Sequence, residues 1–291
     1  MLRIDPQEVS IPKLHGYMLG AIAPRPIAFA STIDKDGKPN LAPFSFFNAF
    51  GSNPTTLIFS PSRRVKDNTI KHTLENVREV PEVVINVVSF NMVQQTSLAS
   101  TEYEKGVNEF TKAGFTELQS EMVKPLRIKE SPVHFECKVR EVIETGQEGG
   151  AGNLIVCEIL LMHISDDILD EDGRIDQHKI DLVGRLGKNH YVRASGSAIF
   201  NVEKPVTTMG IGVDQLPEHI RLSNVLTGND LGMLGNVESI PGENDVNAIK
   251  DDDRVKQSIE NNDMEALHMY GKELLEQGEV EKAWQVLLSL S

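Results

Sequence analysis

The chain has 291 residues, 40% of them apolar and 25% charged, and its 43 acidic against 29 basic residues give a formal net charge of −14. This size admits one sizeable domain with an appendage, or two small domains, and the composition argues against disorder and fibrous repeats. The charge counts against a nucleic-acid backbone or an anionic membrane surface as partner.

"MLRIDPQEVS" has no charged start running into an apolar stretch, and no segment reaches the ~18 apolar residues of a membrane span, so the cytoplasm is the expected compartment. Ile27 to Ile33 is small, apolar or β-branched, Asp34-Lys35-Asp36-Gly37 supplies turn chemistry, and Leu41 to Phe47 resumes an extended pattern, which predicts a hairpin. Thr55 to Ser60, Val83 to Ser89, Val133 to Val139 and Leu154 to Ile164 are further strand candidates. Cys137 and Cys157 sit inside two of these apolar runs, as reduced core thiols would. Between the third and fourth strands, "KDNTIKHTLENVRE" places Ile70, Leu74 and Val77 at helical spacing, with Asp67 or Asn68 as the cap. The order strand, strand, strand, helix, strand lacks the alternation of a doubly wound fold, so a barrel or α+β sheet is expected.

The segment 201–247, rich in Gly, Asn and Pro, reads as an irregular extension of a domain spanning 1–200. From Ala248 onward charged helix formers take over, and Met264 to Glu276 and Val280 to Leu290 flank Gly278 as a C-terminal helical hairpin over 248–291. The hairpin resembles a single tetratricopeptide unit, whereas stacked repeats need about three copies for independent stability, so docking on its own domain or on a second subunit is the better reading.

Several motifs fail on spacing. In "DEDGRID" the calcium-loop count from Gly173 puts Ile168 at the first ligand position and Lys179 at the last. "GIG" at Gly210 to Gly212 has Gln215 where a dinucleotide fingerprint needs its third glycine. No zinc-hydrolase, serine-hydrolase or phosphate-loop signature occurs, and no metal ligand set is proposed.

Chemistry concentrates between Ala23 and Lys71. Arg63, Arg64, Lys66 and Lys71 cluster around Ser60 and Ser62 at the predicted helix start, either as a phosphate cradle of guanidinium forks and free backbone donors or as a solvated basic turn. In "APFSFFNAFGS", Ser45, Asn48 and Ser52 interrupt apolar residues as the wall for a planar heteroaromatic ligand would require, and Ser31 and Thr32 are expected on the same side or its rim.

The ordered set "PRPIAFAST", "DGKPNLAPFSFFNAF", "NPTTLIFS", "KDNTIKHTLEN" and "VVINVV", with the later "GRLGKNHY", resembles the flavin reductase-like FMN-binding split-barrel proteins, the flavoredoxins among them, from about Ile11 through Arg193. The resemblance implies a six-stranded antiparallel Greek-key split barrel that forms a homodimer with non-covalently bound FMN. It implies that Ser31, Thr32, Ser45, Phe46 and Asn48 contact the ring and ribityl chain, and that Ser62, Arg63, Lys66 and Asn68 hold the phosphate. Family members commonly carry Lys-Asp-Thr where this chain has Lys66-Asp67-Asn68. Arg25, between two prolines, either reaches the flavin or ties the N-terminal arm, and His190 and Tyr191 are candidates for the nicotinamide side.

Hydride transfer needs stacked rings and no acid–base pair, so no catalytic residue is named. The implied function is an NAD(P)H-dependent flavin oxidoreductase, with free flavin, an oxygenase or a small molecule as acceptor. The alternatives are an FMN-bearing electron carrier reduced by a partner protein, and an enzyme resembling pyridoxamine-phosphate oxidase.

Overall fold

A computed structural model describes residues 1–290 of the chain, and residues 243 and 244 by their backbone alone. The chain divides into two compact units, residues 1–200 and the residues from 201 on.

In the first unit, helix α1 (Ile11–Ala21) precedes strands β1 (Ala28–Ile33), β2 (Pro39–Phe44), β3 (Phe47–Ser52) and β4 (Thr55–Phe59), then helix α2 (His72–Glu79) and strand β5 (Glu82–Val87). Helices α3 (Val93–Leu98) and α4 (Glu109–Ala113) and the short strands β6 (Glu117–Leu118) and β7 (Arg127–Ile128) lead to the long hairpin β8 (Val133–Glu144) and β9 (Asn153–Ile164), and β10 (Val183–Arg185) and β11 (Tyr191–Arg193) close the unit. Among the described residues the principal sheet has seven antiparallel strands in the order β2-β1-β5-β8-β9-β4-β3. The expected count of six is corrected by one, because the stretch Leu41 to Phe47 breaks at Ser45-Phe46 and a new strand begins at Phe47.

The outermost strands, β2 and β3, are consecutive in sequence and joined only through Ser45 and Phe46. That link spans roughly 11 Å at full extension, so the sheet must curl until its two edges nearly meet. The result is a barrel split along one seam. Its interior holds Ala28, Ala30, Leu57, Phe59, Val83, Ile85, Ile155 and Cys157, with Leu74 and Val77 of α2 packed among them. Alternation along β1 sends Phe29 to the opposite face, where Leu41, Met92, Phe110 and Phe115 cover it, which is why every residue of β1 is buried. Asp34 organises the β1–β2 turn by accepting from the N–H groups of Asp36 and Lys38, both at 2.9 Å, and Gly37 supplies the positive φ of 81°.

Helix α2 begins at His72, not at the expected Asp67 or Asn68. Asp67 instead accepts from the backbone and hydroxyl of Thr69, and Asn68 is left-handed at φ 56°, so residues 66–71 are a loop.

The second unit contains α5 (Glu218–Arg221), α6 (Gly228–Gly235), α7 (Glu243–Asn247), α8 (Asp253–Glu260), α9 (Met264–Glu276) and α10 (Val280–Leu288). The part expected to be irregular therefore carries short helices, and α6 starts with a capping box in which Thr227 and Asp230 satisfy each other's backbone donors. The hairpin α9–α10 turns at Gly278, φ 80°, and packs closely at Gly271, where an added Cβ would lie 2.9 Å from Leu287. Its core joins fully buried Trp284 to Leu216, Ile220, Leu234 and Val255. No helix among the described residues is long and apolar enough to cross a membrane.

Leu74, fully buried, is the centre of the barrel plug. Leu74→Ala is expected to lower unfolding free energy by about 2–5 kcal/mol in urea denaturation followed by circular dichroism, and a change within experimental error would show that α2 does not plug the barrel.

Candidate functional site

The seam is where the sheet leaves backbone groups unused. β3 pairs with β4 on one side only, so among the described residues its other edge has no strand partner. Half-buried Ser45 and Phe46 form the corner, and Asn48 lies exposed on the edge strand, where its side-chain oxygen accepts from Ala49 N–H at 2.8 Å. The Phe46 ring meets His15 of α1 edge-on at 6.1 Å, and its carbonyl accepts from Ser60 N–H at 2.9 Å. That last bond fastens the corner to the segment that runs on through Ser62 and Arg63.

Within this loop the Arg63 guanidinium donates to the side-chain and backbone oxygens of Asn68 at 2.7 and 2.8 Å, and Asn68 donates to Gln147 O at 2.9 Å. The left-handed backbone at Asn68 suits Asn and is strained for a β-branched residue, which gives the departure from Lys-Asp-Thr a physical reason. Opposite, Arg63 exchanges backbone bonds with Ala151 and Gly150, and Gly149 comes so close that an added Cβ would lie 3.0 Å from the Val65 backbone.

Lys66 is engaged elsewhere. Glu102, 36 residues away along the chain, accepts from Lys66 at 2.8 Å, from Arg64 at 2.7 Å and from Lys71 at 3.0 Å. Hydrogen bonds from Lys66, Arg64 and Lys71 hold the Glu102 carboxyl far below the usual carboxylate range, and the same contact raises Lys66. Of the basic cluster, Arg63 alone has no carboxylate partner among the described residues.

The structure does not bring Ser31 and Thr32 to this corner. The β2 end of the seam pairs at Ala28–Phe44, and Ser31 and Thr32 lie three and four residues further along β1, roughly 10–13 Å away. Being adjacent, they point to opposite faces, not to a shared one. Thr32 accepts from Asn76 at 3.1 Å and from Asn40 at 3.4 Å, and Asn40 also donates to Thr73 at 3.0 Å, so its hydroxyl ties α2 to β1 and β2. Ser31 is fully buried and its hydroxyl has no partner among the described residues.

On the other side of Ser45 opens a hollow of about 650 Å³, walled by α3 and by the β10–β11 hairpin. Tyr191 lines it with the Arg185 guanidinium 4.6 Å over its ring, while His190 is exposed and contacts Gly187 O at 3.2 Å. Arg25, 5% exposed, donates to the carbonyls of Leu19, Ile22 and Leu186 and, at 3.4 Å, to the Ser45 hydroxyl. It ties the end of α1 to the corner. Burial, and secondarily Arg185, push its pKa down.

The flavin reductase like domain model matches residues 19–179, more than half of the chain. The chain belongs to this family. An uncharacterized protein of Aquifex aeolicus is 41% identical over 189 residues, 65% of this chain and 94% of that protein. Nitrilotriacetate monooxygenase component B from Bacillus cereus superposes with a TM-score of 0.65 at 25% identity, covering 69% of this chain and 98% of the other. The flavoredoxin of Desulfovibrio vulgaris shares the fold, with a TM-score of 0.54 at 19% identity over 71% of this chain and 98% of its own. This flavin reductase-like chain thus carries a mainly antiparallel split barrel and, outside the span shared with such proteins, a helical C-terminal region.

Glu102 has a consequence that titration can read. Its folded pKa lies below the unfolded value, so any stability it confers is complete above the ordinary Glu range and is lost only as pH falls through the lowered value. At about pH 4, where an unperturbed Glu is roughly half protonated, the Glu102 carboxyl carbon is expected to keep its ionised NMR shift. Titration in step with the exposed carboxylates would refute the three-cation arrangement.

Proposed function

We propose that this flavin reductase-like chain binds FMN at the corner between β2 and β3 and serves as an oxidoreductase that takes hydride from NADH or NADPH. The observation that carries the reading is the Phe46–Ser60 hydrogen bond, which joins a polar strand edge to a loop bearing a guanidinium without a carboxylate partner. The donor set fits the group: Ser62 and Arg63 suit a phosphate, and Ser45, Asn48 and the open β3 edge offer the donors and acceptors a pyrimidine edge needs. Lys66, committed to Glu102, is a weaker candidate than Arg63, and the Thr32 hydroxyl is taken up by Asn40 and Asn76.

When bound, FMN supplies the hydride acceptor. The chain's own task is to orient and polarise. Ser45 and the β3 edge fix the plane at the corner, Arg63 anchors the charged end, and Arg25 places a fixed positive charge beside Ser45 that favours negative charge gathering there. No residue here has to move a proton in the transfer itself. A second copy of the chain is the expected partner. In support, α1 buries none of its residues, Phe50 on the β3 edge is 64% exposed and Met162 on β9 is 45% exposed.

Arg63→Ala is expected to weaken FMN binding by roughly tenfold to a hundredfold in fluorescence-quenching titrations, and Lys66→Ala by less than about threefold. Equal losses would reassign the anchor. The reaction itself is tested by anaerobic addition of NADH or NADPH to the flavin-loaded protein. Bleaching of the flavin absorption with either nucleotide supports the oxidoreductase, while a spectrum that persists until a reduced protein partner is added would replace it with an electron carrier.

A further inference from the structure

The 650 Å³ hollow beside Ser45 is unusual for the chain that holds it. The protein has 43 acidic and 29 basic residues, yet among the described residues no Asp or Glu lines this space, and two arginines do. The two are not equivalent. Arg193 is neutralised by Asp181 through two bonds of 2.7 Å and lies 3.9 Å over the Phe90 ring. The Arg185 side chain rests on Tyr191 and has no hydrogen bond or ion pair among the described residues. Immediately behind it stands Arg25, whose acceptors are three carbonyls and a hydroxyl, none of them charged. Arg185 on the wall and Arg25 behind it are thus two guanidiniums without a counter-charge among the described residues, and burial and, secondarily, their mutual repulsion push the pKa of Arg25 down. Across the hollow, α3 contributes Gln94 and Ser97, and the β10–β11 turn contributes Asn189. These are short neutral donors of the kind that complete an oxyanion site around an arginine. The volume falls within the range of small-molecule sites, and half-buried, ring-stacked Arg185 is less mobile and less hydrated than a surface cation.

We propose that this hollow binds the carboxylate or phosphate group of a small anionic substrate, with Arg185 as the residue that selects for the anion. Ser45 lies on both the hollow and the seam, so the bound molecule would stand next to the flavin corner as its reaction partner. That place in the reaction rests on the proposed function, whereas anion binding as such does not.

The test uses the full-length protein and two probes, pyrophosphate for a nucleotide-like ligand and benzoate for a carboxylate-bearing acceptor, in titration calorimetry with and without FMN. Saturable binding of one probe that weakens about tenfold or more in Arg185→Gln, and less in Arg193→Gln, is the expected result. Arg185→Lys, which keeps the charge, should restore part of it. Pyrophosphate as the probe that binds would identify a nucleotide donor, and benzoate a carboxylate acceptor. With the matching substrate, KM should rise in Arg185→Gln by a similar factor. No saturable binding of either probe at millimolar concentration overturns the proposal, as does a loss of FMN affinity in Arg185→Gln equal to that in Arg63→Ala, which would make the hollow part of the flavin site. Anion binding that depends on Arg185 in a protein unable to take up FMN would refute the proposed function and leave the anion site standing.

Discussion

The link between β2 and β3 is the constraint on which the first unit depends. A sheet whose two outermost strands are neighbours in sequence has to bring its edges together, and a connection through Ser45 and Phe46 alone leaves no freedom in how far. Had Ser45 and Phe46 continued a strand, the sheet would have closed by hydrogen bonds and buried its edge. Because they turn a corner instead, the β3 edge remains unpaired next to the loop that carries Arg63. The opening that makes a binding site and the chain crossing that makes a barrel are the same feature. The plug formed by α2 closes the barrel from the other end, where buried Thr32, Asn40, Thr73 and Asn76 tie it to β1 and β2 through side-chain bonds.

Charge is distributed in the same logic. From residue 201 on, 17 acidic against 7 basic residues give −10 of the chain's −14, so the barrel unit is nearly balanced. Within it the cations around the corner and the hollow fall into two sets. Arg64, Lys66 and Lys71 share Glu102, and Arg193 has Asp181. Arg63, Arg25 and Arg185 meet only neutral oxygens or an aromatic ring. A buried or half-buried guanidinium without a counter-charge costs stability, and all three border the corner or the hollow beside it.

Much of the barrel is legible in the sequence because strands announce themselves by alternation and turn chemistry. Six of the seven strands sit where apolar runs bounded by Gly, Pro and Asn place them, and the hairpin at Asp34 to Gly37 follows from its turn residues alone. The break at Ser45-Phe46 is invisible for a plain reason: Phe44, Phe46 and Phe47 are equally apolar, and only closure of the sheet decides which of them turns. The start of α2 is misread because an Asp that can cap a helix can equally close a turn on Thr69. Ser31 and Thr32 look alike in sequence, but the pleat gives them opposite faces. Glu102 gives no signal near the basic cluster, since its partners lie 31 to 38 residues away. The capping box at Thr227 and Asp230 was readable from spacing and lay hidden only behind the Gly-rich composition around it.

The helical region shows how a lone repeat-like hairpin becomes stable. In an array, α9 and α10 would cover their apolar faces with the next copy. Here the fully buried Trp284 does that work within one unit, packing among Leu216, Ile220 and Leu234 and donating its indole N–H to the Leu234 carbonyl at 3.3 Å. Residues that composition marks as loop formers thus supply the missing layer of core. Gly271 fits the same scheme, since only the absence of a side chain lets Leu287 close over α9. Tertiary burial, more than helix propensity, explains why Thr227 to Gly235 folds as a helix despite three glycines in nine residues.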